Sequence, residues 1–354
     1  MQIAKGLVVV AVAAAIGVVS LWQFGCDENP TGPKPYKPKD YVLYWSRNRD
    51  DSAFFAYHTL SQRLDTFYVP GTRVYDMNTS ADGRRLYISY SDKTRVISTV
   101  DHRPLVDLPY SGGYGVTVSP DNRYIAVHSG NLRILSTRDY SVVFEDTLAF
   151  WRTAFSANGH TLYAFGPASP CRLVYRLDLR NGFQSDFICV PDDIPISRVV
   201  PSIDEKLLFM FRSLGSCNML FDVFDVAGDS LVFRDLVAPG CGDMVVSPDN
   251  RYVFFTGPGD LHGWPPPAYS IARYSIEDRT VDSLVFWSIC GSDLPSGAIG
   301  SDLAITPDGR FLATVDADPH VRLTLYDCQL DDTAKVLCSP EIKGFWYVTC
   351  QNAR

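Results

Sequence analysis

From residue 41 onward, apolar residues either alternate with polar ones or gather in short blocks bounded by Gly, Pro, Asn and Asp. Alternation with period two marks strands that bury one face, and a short apolar block between turn residues fits a strand buried on both. No stretch of comparable length carries a helical period. Residues 114–146 show the unit. Tyr114 to Val118 alternates, Tyr124 to Val127 is an apolar run, and Leu132 to Ser136 and Val142 to Asp146 read as two further strands. Leu173 to Leu179 and Phe183 to Val190 repeat that outer pair. The pattern predicts four-stranded antiparallel meanders.

Between the first two strands of each unit one phrase recurs. Thr79 to Leu86 reads TSADGRRL, Val118 to Tyr124 and Val246 to Tyr252 both read VSPDNRY, and Ile305 to Phe311 reads ITPDGRF. Degraded copies stand at Phe155 to Leu162 and Pro201 to Leu207. The phrase describes a tight hairpin: Pro presets φ, Asp bonds back to the backbone, and Gly or Asn accepts a positive φ. Its Ser or Thr falls at positions 80, 119, 156, 202, 247 and 306, at intervals of 37 to 59 residues, which are propeller-blade periods. A seventh anchor, Thr349, lies in Tyr347 to Asn352 (YVTCQN), whereas Tyr41 to Trp45 reads as a strand that follows a turn, with Ala53 to Leu60 and Leu64 to Val69 as its outer pair. The expected fold is therefore all-β: a seven-bladed β-propeller whose last blade is built from both ends of residues 41–354. An open array would instead leave sheet edges unpaired and a terminal blade's apolar face wet.

These SPDG-type repeats resemble the bacterial YVTN-type propellers, the periplasmic propeller of the Tol system and the seven-bladed lactonase group. The resemblance runs from about Tyr41 to Arg354 and implies architecture far more than activity. WD-repeat propellers share the WD40-like blade plan, but the chain contains no Trp-Asp pair.

Lys5 precedes Leu7 to Trp22, a run without charge that is shorter than the roughly 20 residues of a spanning helix. It reads as an export signal ending at Gly25 and Cys26, which resembles the lipobox of bacterial lipoproteins and implies lipidation of Cys26. An uncleaved anchor or simple secretion is the alternative. Asp27 to Lys39 contains Pro30, Pro33, Pro35 and Pro38 and no aliphatic residue, the composition of an extended tether. The domain reading is signal 1–26, linker 27–40 and propeller 41–354, exported to the periplasm or cell surface and membrane-tethered.

Charge and cysteine content narrow the partners. Lys and Arg number 32 against 40 Asp and Glu, a net charge of -8, which argues against nucleic acid. Nine cysteines fit an oxidising compartment. Centring pairs on presumed hairpin turns predicts the bridges Cys171–Cys189, Cys217–Cys241 and Cys328–Cys338, with none between Cys290 and Cys350.

Catalytic motifs are missing: the sequence has no HExxH, GxSxG, CxxC or Walker phrase. The six histidines, among them His128, stand singly and read as loop or satisfied core residues; neither metal nor cofactor is assigned. Loop length is the remaining signal. Gly257 to Ala268 and Ser288 to Ser301 are long connections on the face opposite the tight turns. Asp260, His262, Trp264 and Asp293 are candidate binding residues there, with Arg47 and Arg49 from the split blade. The expected function is a non-catalytic binding or scaffold module for a protein or glycan of the envelope, acting as a monomeric ring. The alternative is a lactonase-like hydrolase with its site at the channel mouth.

Overall fold

The computed structural model describes residues 41–352 apart from 47–52, 71–73, 111–112, 114, 167–172, 191, 193, 216–217, 238–242, 259–268, 287–301, 316–321, 329–331 and 339–347. All described residues belong to the compact unit Lys39–Arg354. They form seven four-stranded antiparallel sheets arranged as a seven-bladed propeller. The innermost strands of blades 1 to 6 are Val74–Thr79, Gly115–Val118, Arg152–Phe155, Ile196–Pro201, Met244–Val246 and Asp302–Ile305. In each of these blades the strands follow one another outward in chain order. Blade 7 is composite: Val348–Asn352 is innermost and Tyr41–Ser46, Ala53–His58 and Leu64–Tyr68 lie outside it. Tyr44 is registered with Thr349 on one side and Ala56 on the other.

Burial explains the sequence pattern strand by strand. The apolar block after each turn is the second strand, sandwiched between neighbouring blades; Leu86 to Tyr90, Ile125 to His128 and Leu162 to Phe165 are buried throughout. Innermost strands alternate, with Met77, Val116, Val199, Met244 and Leu303 buried. Outermost strands are largely exposed, as in Gln184–Cys189, where only Ile188 is buried. One apolar cluster joins Val42, Leu43 and Phe54 of blade 7 to Val74 and Leu86 of blade 1 and to Ala304 and Ala313 of blade 6, so the composite blade packs on both sides.

The turn phrase works through its hydroxyl. Ser119 Oγ donates to Asp121 Oδ1 (2.7 Å) and accepts from the N–H groups of Arg123 (3.1 Å) and Tyr124 (2.9 Å). Ser80, Ser247 and Thr306 repeat the donation to Asp and the acceptance from the N–H five residues on. The degraded copies keep it too, at Ser156 and Ser202, although proline is lost from both. Position +3 takes a positive φ everywhere: Gly83, Asn122, Gly159, Glu205, Asn250 and Gly309 lie between 57° and 74°. Thus Ser/Thr and Asp/Asn define the turn, and Pro and Gly are refinements.

The cysteine centring does not match the observed registers. In blade 3 Asp178 faces Gln184 and Leu173 faces Cys189, whose exposed thiol is free. In blade 6 Asp327 faces Asp332, which puts Cys328 at the turn end of the hairpin and Cys338 opposite Arg322 at its other end. A disulfide needs Cα atoms roughly 4.4–6.8 Å apart, so this register excludes a Cys328–Cys338 bridge. The hairpin centres lie one residue later than the centring assumed in blade 3 and earlier in blades 4 and 6, where bulges also shift the pairing. Cys26, Cys171, Cys217 and Cys241 lie outside the described residues.

Candidate functional site in the central channel

Each innermost strand of blades 1 to 6 runs from the loop face down to its tight turn, and the strands together enclose a cavity of about 640 Å³. Three levels line it. Uppermost among the described side chains is the fourth residue before the turn Ser or Thr, Asp76, Arg152, Arg198 and Asp243, with Gly115 at that position in blade 2. Two residues further on the wall is small and mostly neutral, with Asn78, Thr117, Ala154, Val200 and Val245. The turn-face rim is apolar, with Ala81, Pro120, Ala157, Ile203 and Pro307.

The charged level ties blade to blade. Asp76 Oδ1 accepts from the Met77 N–H (2.8 Å), while Oδ2 accepts from the Val116 N–H of blade 2 (3.1 Å). Asp243 repeats the arrangement in blade 5: Oδ1 accepts from the Met244 N–H (2.8 Å) and Oδ2 from the Leu303 N–H of blade 6 (3.4 Å). Arg198 of blade 4 forms an ion pair with Asp243 Oδ1. Burial pushes the Asp76 carboxyl above the usual carboxylate range, against the opposing charge of Arg152 and the hydrogen bonds from Val116 and Met77.

Gly115 breaks the ring of side chains. His128, its cross-strand neighbour, occupies the wall there. A Cβ on Gly115 would come 2.7 Å from Asp76 Oδ2 and 2.9 Å from His128 Cε1 and Nε2. His128 is 1% exposed and its Nδ1 has no hydrogen-bond partner, which corrects the expectation of a satisfied core histidine. Burial, reinforced by the positive charge of Arg152, lowers its pKa from 6.5 to about 3, so the ring is neutral at physiological pH. Among the described residues no three His, Cys, Asp or Glu side chains converge as a metal would require.

Arg47, Arg49, Asp260, His262, Trp264 and Asp293 lie outside the described residues. The strands that flank them do end on the loop face: Pro258 pairs with Tyr269, and Ser46 with Phe54. On that face the structure adds Trp151, 40% exposed and adjacent to Arg152, and Leu214, 47% exposed. Loop length points to neither. The charged level is readable in one way, by aligning the repeats and scanning the column four residues before each anchor, where a charged residue or glycine always precedes an apolar or threonine position.

At the same end of the molecule a buried ion network fixes the connection between blades 3 and 4. Arg212 Nη1 donates to Asp222 Oδ2 (3.0 Å), both residues being fully buried, and Arg212 also donates to the carbonyls of Asp192 and Ile194. Arg234 donates to both Asp222 oxygens (2.7 and 2.8 Å) and to Asp192 Oδ2 (2.6 Å).

No protein-family model matches the chain, and no curated protein matches it in sequence. Solved structures do. Hydrazine synthase of Kuenenia stuttgartiensis is similar at 18% identity over 74% of this chain and 80% of that one, with a TM-score of 0.58. The Cps50 (Swd1) β-propeller domain of Myceliophteria thermophila matches at 10% identity over 79% of this chain and 90% of its own, with a TM-score of 0.63. Dihydro-heme d1 dehydrogenase NirN, in complex with DHE, matches at 16% identity over 90% and 77%, with a TM-score of 0.57. At these identities the likeness is one of propeller fold.

Proposed function

We propose that the protein is an exported, envelope-tethered recognition module that meets a protein or glycan partner with its loop face. The observation that carries this reading is Trp151, 40% exposed at the loop-face end of the channel, with its backbone N–H donating to the Phe165 carbonyl (2.9 Å) so that the main chain there is fixed. A half-exposed Trp on a fixed backbone has the character of an interface anchor. The channel carboxylates and Arg198, by contrast, are engaged in bonds that join the blades. The reading places the long connections 257–268 and 288–301, with Asp260, His262, Trp264 and Asp293, around the same partner, and Arg47 and Arg49 beside them. Export also supports bridging of Cys217 with Cys241, and lipidation at Cys26 supplies the tether.

Photo-crosslinking in cells tests the reading. A photoreactive residue at position 151 is expected to trap a discrete partner, while one at Leu105, more exposed at 54% on the outermost strand of blade 1, traps none. Trp151→Ala is expected to weaken that complex by about 2 kcal/mol, the cost of losing an interface anchor. Equal labelling from both positions removes the loop face from the proposal. The proximity of Asp76 and His128 favours one second reading, a lactonase-like hydrolase. Lactone hydrolysis by the purified protein, lost in His128→Gln, would put that reading in its place.

A further inference from the structure

The row of side chains that starts seven residues after the turn Ser or Thr faces the next blade and closes the seam between the two. Blade 1 closes it with Val96 and Val106, blade 2 with Ile134 and Phe144, and blade 4 with Val223 and Phe233, each pair lying in an apolar cluster with the following blade. Blade 3 differs. Its row is Tyr163, Arg176 and Asp186, and its seam toward blade 4 holds a polar cavity of about 370 Å³. Blade 4 adds Glu205 to the wall, at a φ of 59° where the other turns have Gly or Asn. Tyr163 lines this cavity and is 2% exposed, and its hydroxyl has no hydrogen-bond partner among the described residues. Tyr87, its counterpart in blade 1, shares side-chain bonds with Arg85 and Tyr140. Blade 5 repeats the ion pair with Arg273 and Asp282, but beside Phe254, which has no hydroxyl to leave unpaired. A nearly buried hydroxyl without a partner is costly unless something outside the fold uses it.

We propose that this seam binds a neutral sugar of the hexopyranose class, whose hydroxyl groups meet the Tyr163 hydroxyl, the Gln184 amide and the carboxylates around them. Asp178, Asp186 and Glu205 line the cavity against the single guanidinium of Arg176, so an anion is disfavoured. A cation fits no better. An ammonium has only donors, and it would face the Gln184 amide N–H groups and Arg176 Nη1, which have no protein acceptor among the described residues. A sugar hydroxyl both donates and accepts, as this mixed lining requires. The carboxylates are already aimed: Arg176 Nε donates to Asp186 Oδ1 (2.9 Å), Thr161 Oγ1 to Glu205 Oε2 (3.2 Å) and Asn181 Nδ2 to Asp178 Oδ2 (2.6 Å). Each of these oxygens keeps a second lone pair for a ligand, and groups held in place beforehand lose little freedom on binding. Burial, with the charge of Glu205 next in effect, pushes the Tyr163 pKa up to about 12, so its hydroxyl stays a donor at physiological pH. A volume of about 370 Å³ lies at the small end of ligand pockets and suits one sugar ring.

The seam lies on the side of the tight turns, and its ligand is separate from the partner on the loop face. Ligand-observed NMR titration of the full chain with D-glucose, D-galactose, D-mannose and N-acetyl-D-glucosamine is the test, with D-glucuronate and spermidine as anionic and cationic controls. At least one neutral sugar is expected to bind saturably with a Kd of about 1 mM, tenfold or more tighter than either control. Tyr163→Phe removes only the hydroxyl and is expected to weaken that binding about tenfold. Its thermal melt is expected to match the parent's, because the hydroxyl bonds nothing in the protein. Gln184→Ala, on the exposed outermost strand, is expected to weaken binding about threefold or more, and Trp151→Ala to leave it unchanged. No saturable binding of any of the four sugars, as for a cavity holding water only, overturns the proposal. So does a control that binds as tightly as the best sugar, or unchanged affinity in both Tyr163→Phe and Gln184→Ala. Loss of sugar binding in Trp151→Ala but not in Tyr163→Phe would move the sugar to the loop face and overturn the seam site alone.

Discussion

The side chain of Asn122 in blade 2 accepts a hydrogen bond from the backbone N–H of Ala81 in blade 1, at 2.7 Å. Asn250 of blade 5 does the same for Ile203 of blade 4, at 2.8 Å. Both occupy position +3 of the tight turn with a φ near 57°. Where +3 is glycine, the preceding turn instead fills the space: Asp121 would lie 2.8 Å from a Cβ on Gly159, and Pro248 3.2 Å from one on Gly309. At +3 Glu205 receives Asn158 Nδ2 and Thr161 Oγ1. This position therefore joins consecutive blades, and the choice between Asn and Gly selects the type of joint.

Glycine keeps the positive φ and removes only the side-chain bond. Asn122→Gly is accordingly expected to lower stability by about 1 kcal/mol, the net value of one hydrogen bond, and Asn122→Ala by more because it adds backbone strain. Denaturant unfolding of the two variants beside the parent gives the order. Equal stability of Asn122→Gly and the parent would remove Asn122 from the joint.

The blades were legible because their chemistry is local. Ser119, Asp121 and Tyr124 complete the turn within six residues, so a phrase in the sequence is a phrase in the structure. The composite blade was legible for the same reason, from Thr349 and Tyr41 to Trp45 at the two ends of one repeat. The joints and the channel were not. Asp76 bonds a residue 40 positions away and Asp243 one 60 away, and in either sequence context the Asp is merely a polar residue within or just before a strand. The positive φ of Asn122 was foreseen, its reach to the neighbouring blade was not. The Cys328–Cys338 pairing failed because centring depends on turn placement to the residue: Asp327 opposite Asp332 moves the blade 6 hairpin far enough to separate the two.

Acid sensitivity follows from His128. Its folded pKa is lowered to about 3 from 6.5, so between these values the unfolded chain binds a proton that the folded chain refuses. Its contribution to stability is therefore complete above pH 6.5 and declines as pH falls, by about 1.4 kcal/mol per unit. At pH 5 the parent is expected to have lost about 2 kcal/mol more than His128→Gln, each measured against its own stability at pH 7.5. Parallel stability–pH curves for the two proteins would mean that the folded imidazole takes up its proton at an ordinary pH.

Asp222 accepts from two arginines at once, and Arg212 among them has no exposed surface. Asp222→Ala removes the closest carboxylate from that buried guanidinium and leaves Asp192 at 3.6 Å. A loss of about 3–5 kcal/mol is expected, as for a buried pair broken from one side. Changing Arg212 and Asp222 together to Met and Leu is expected to recover part of it, because the uncompensated charge is then gone. Thermal unfolding of the single and double variants decides. A double variant less stable than Asp222→Ala would show that the carbonyls of Asp192 and Ile194 depend on Arg212 more than on the pair.

Ring closure depends on one short strand. Val348–Asn352 pairs with Tyr41 to Trp45 through five residue positions and supplies the innermost strand of blade 7. Removing residues 344–354 leaves the backbone of Tyr41, Val42, Leu43 and Tyr44, all 3% exposed or less, as an unpaired edge at the centre of the ring. It also opens the apolar cluster that Val42 and Leu43 share with Ala304, Ala313 and Val74. The truncated protein is expected to aggregate on expression, because an unpaired inner strand beside a wet apolar face is a template for pairing with another chain. Supplying residues 344–354 as a separate peptide during refolding is expected to restore soluble, heat-stable protein, since the lost strand needs no covalent link to occupy its place. Light scattering and thermal melts with and without the peptide read both outcomes. A truncated chain as soluble and as heat-stable as the parent would show that blade 7 holds with three strands.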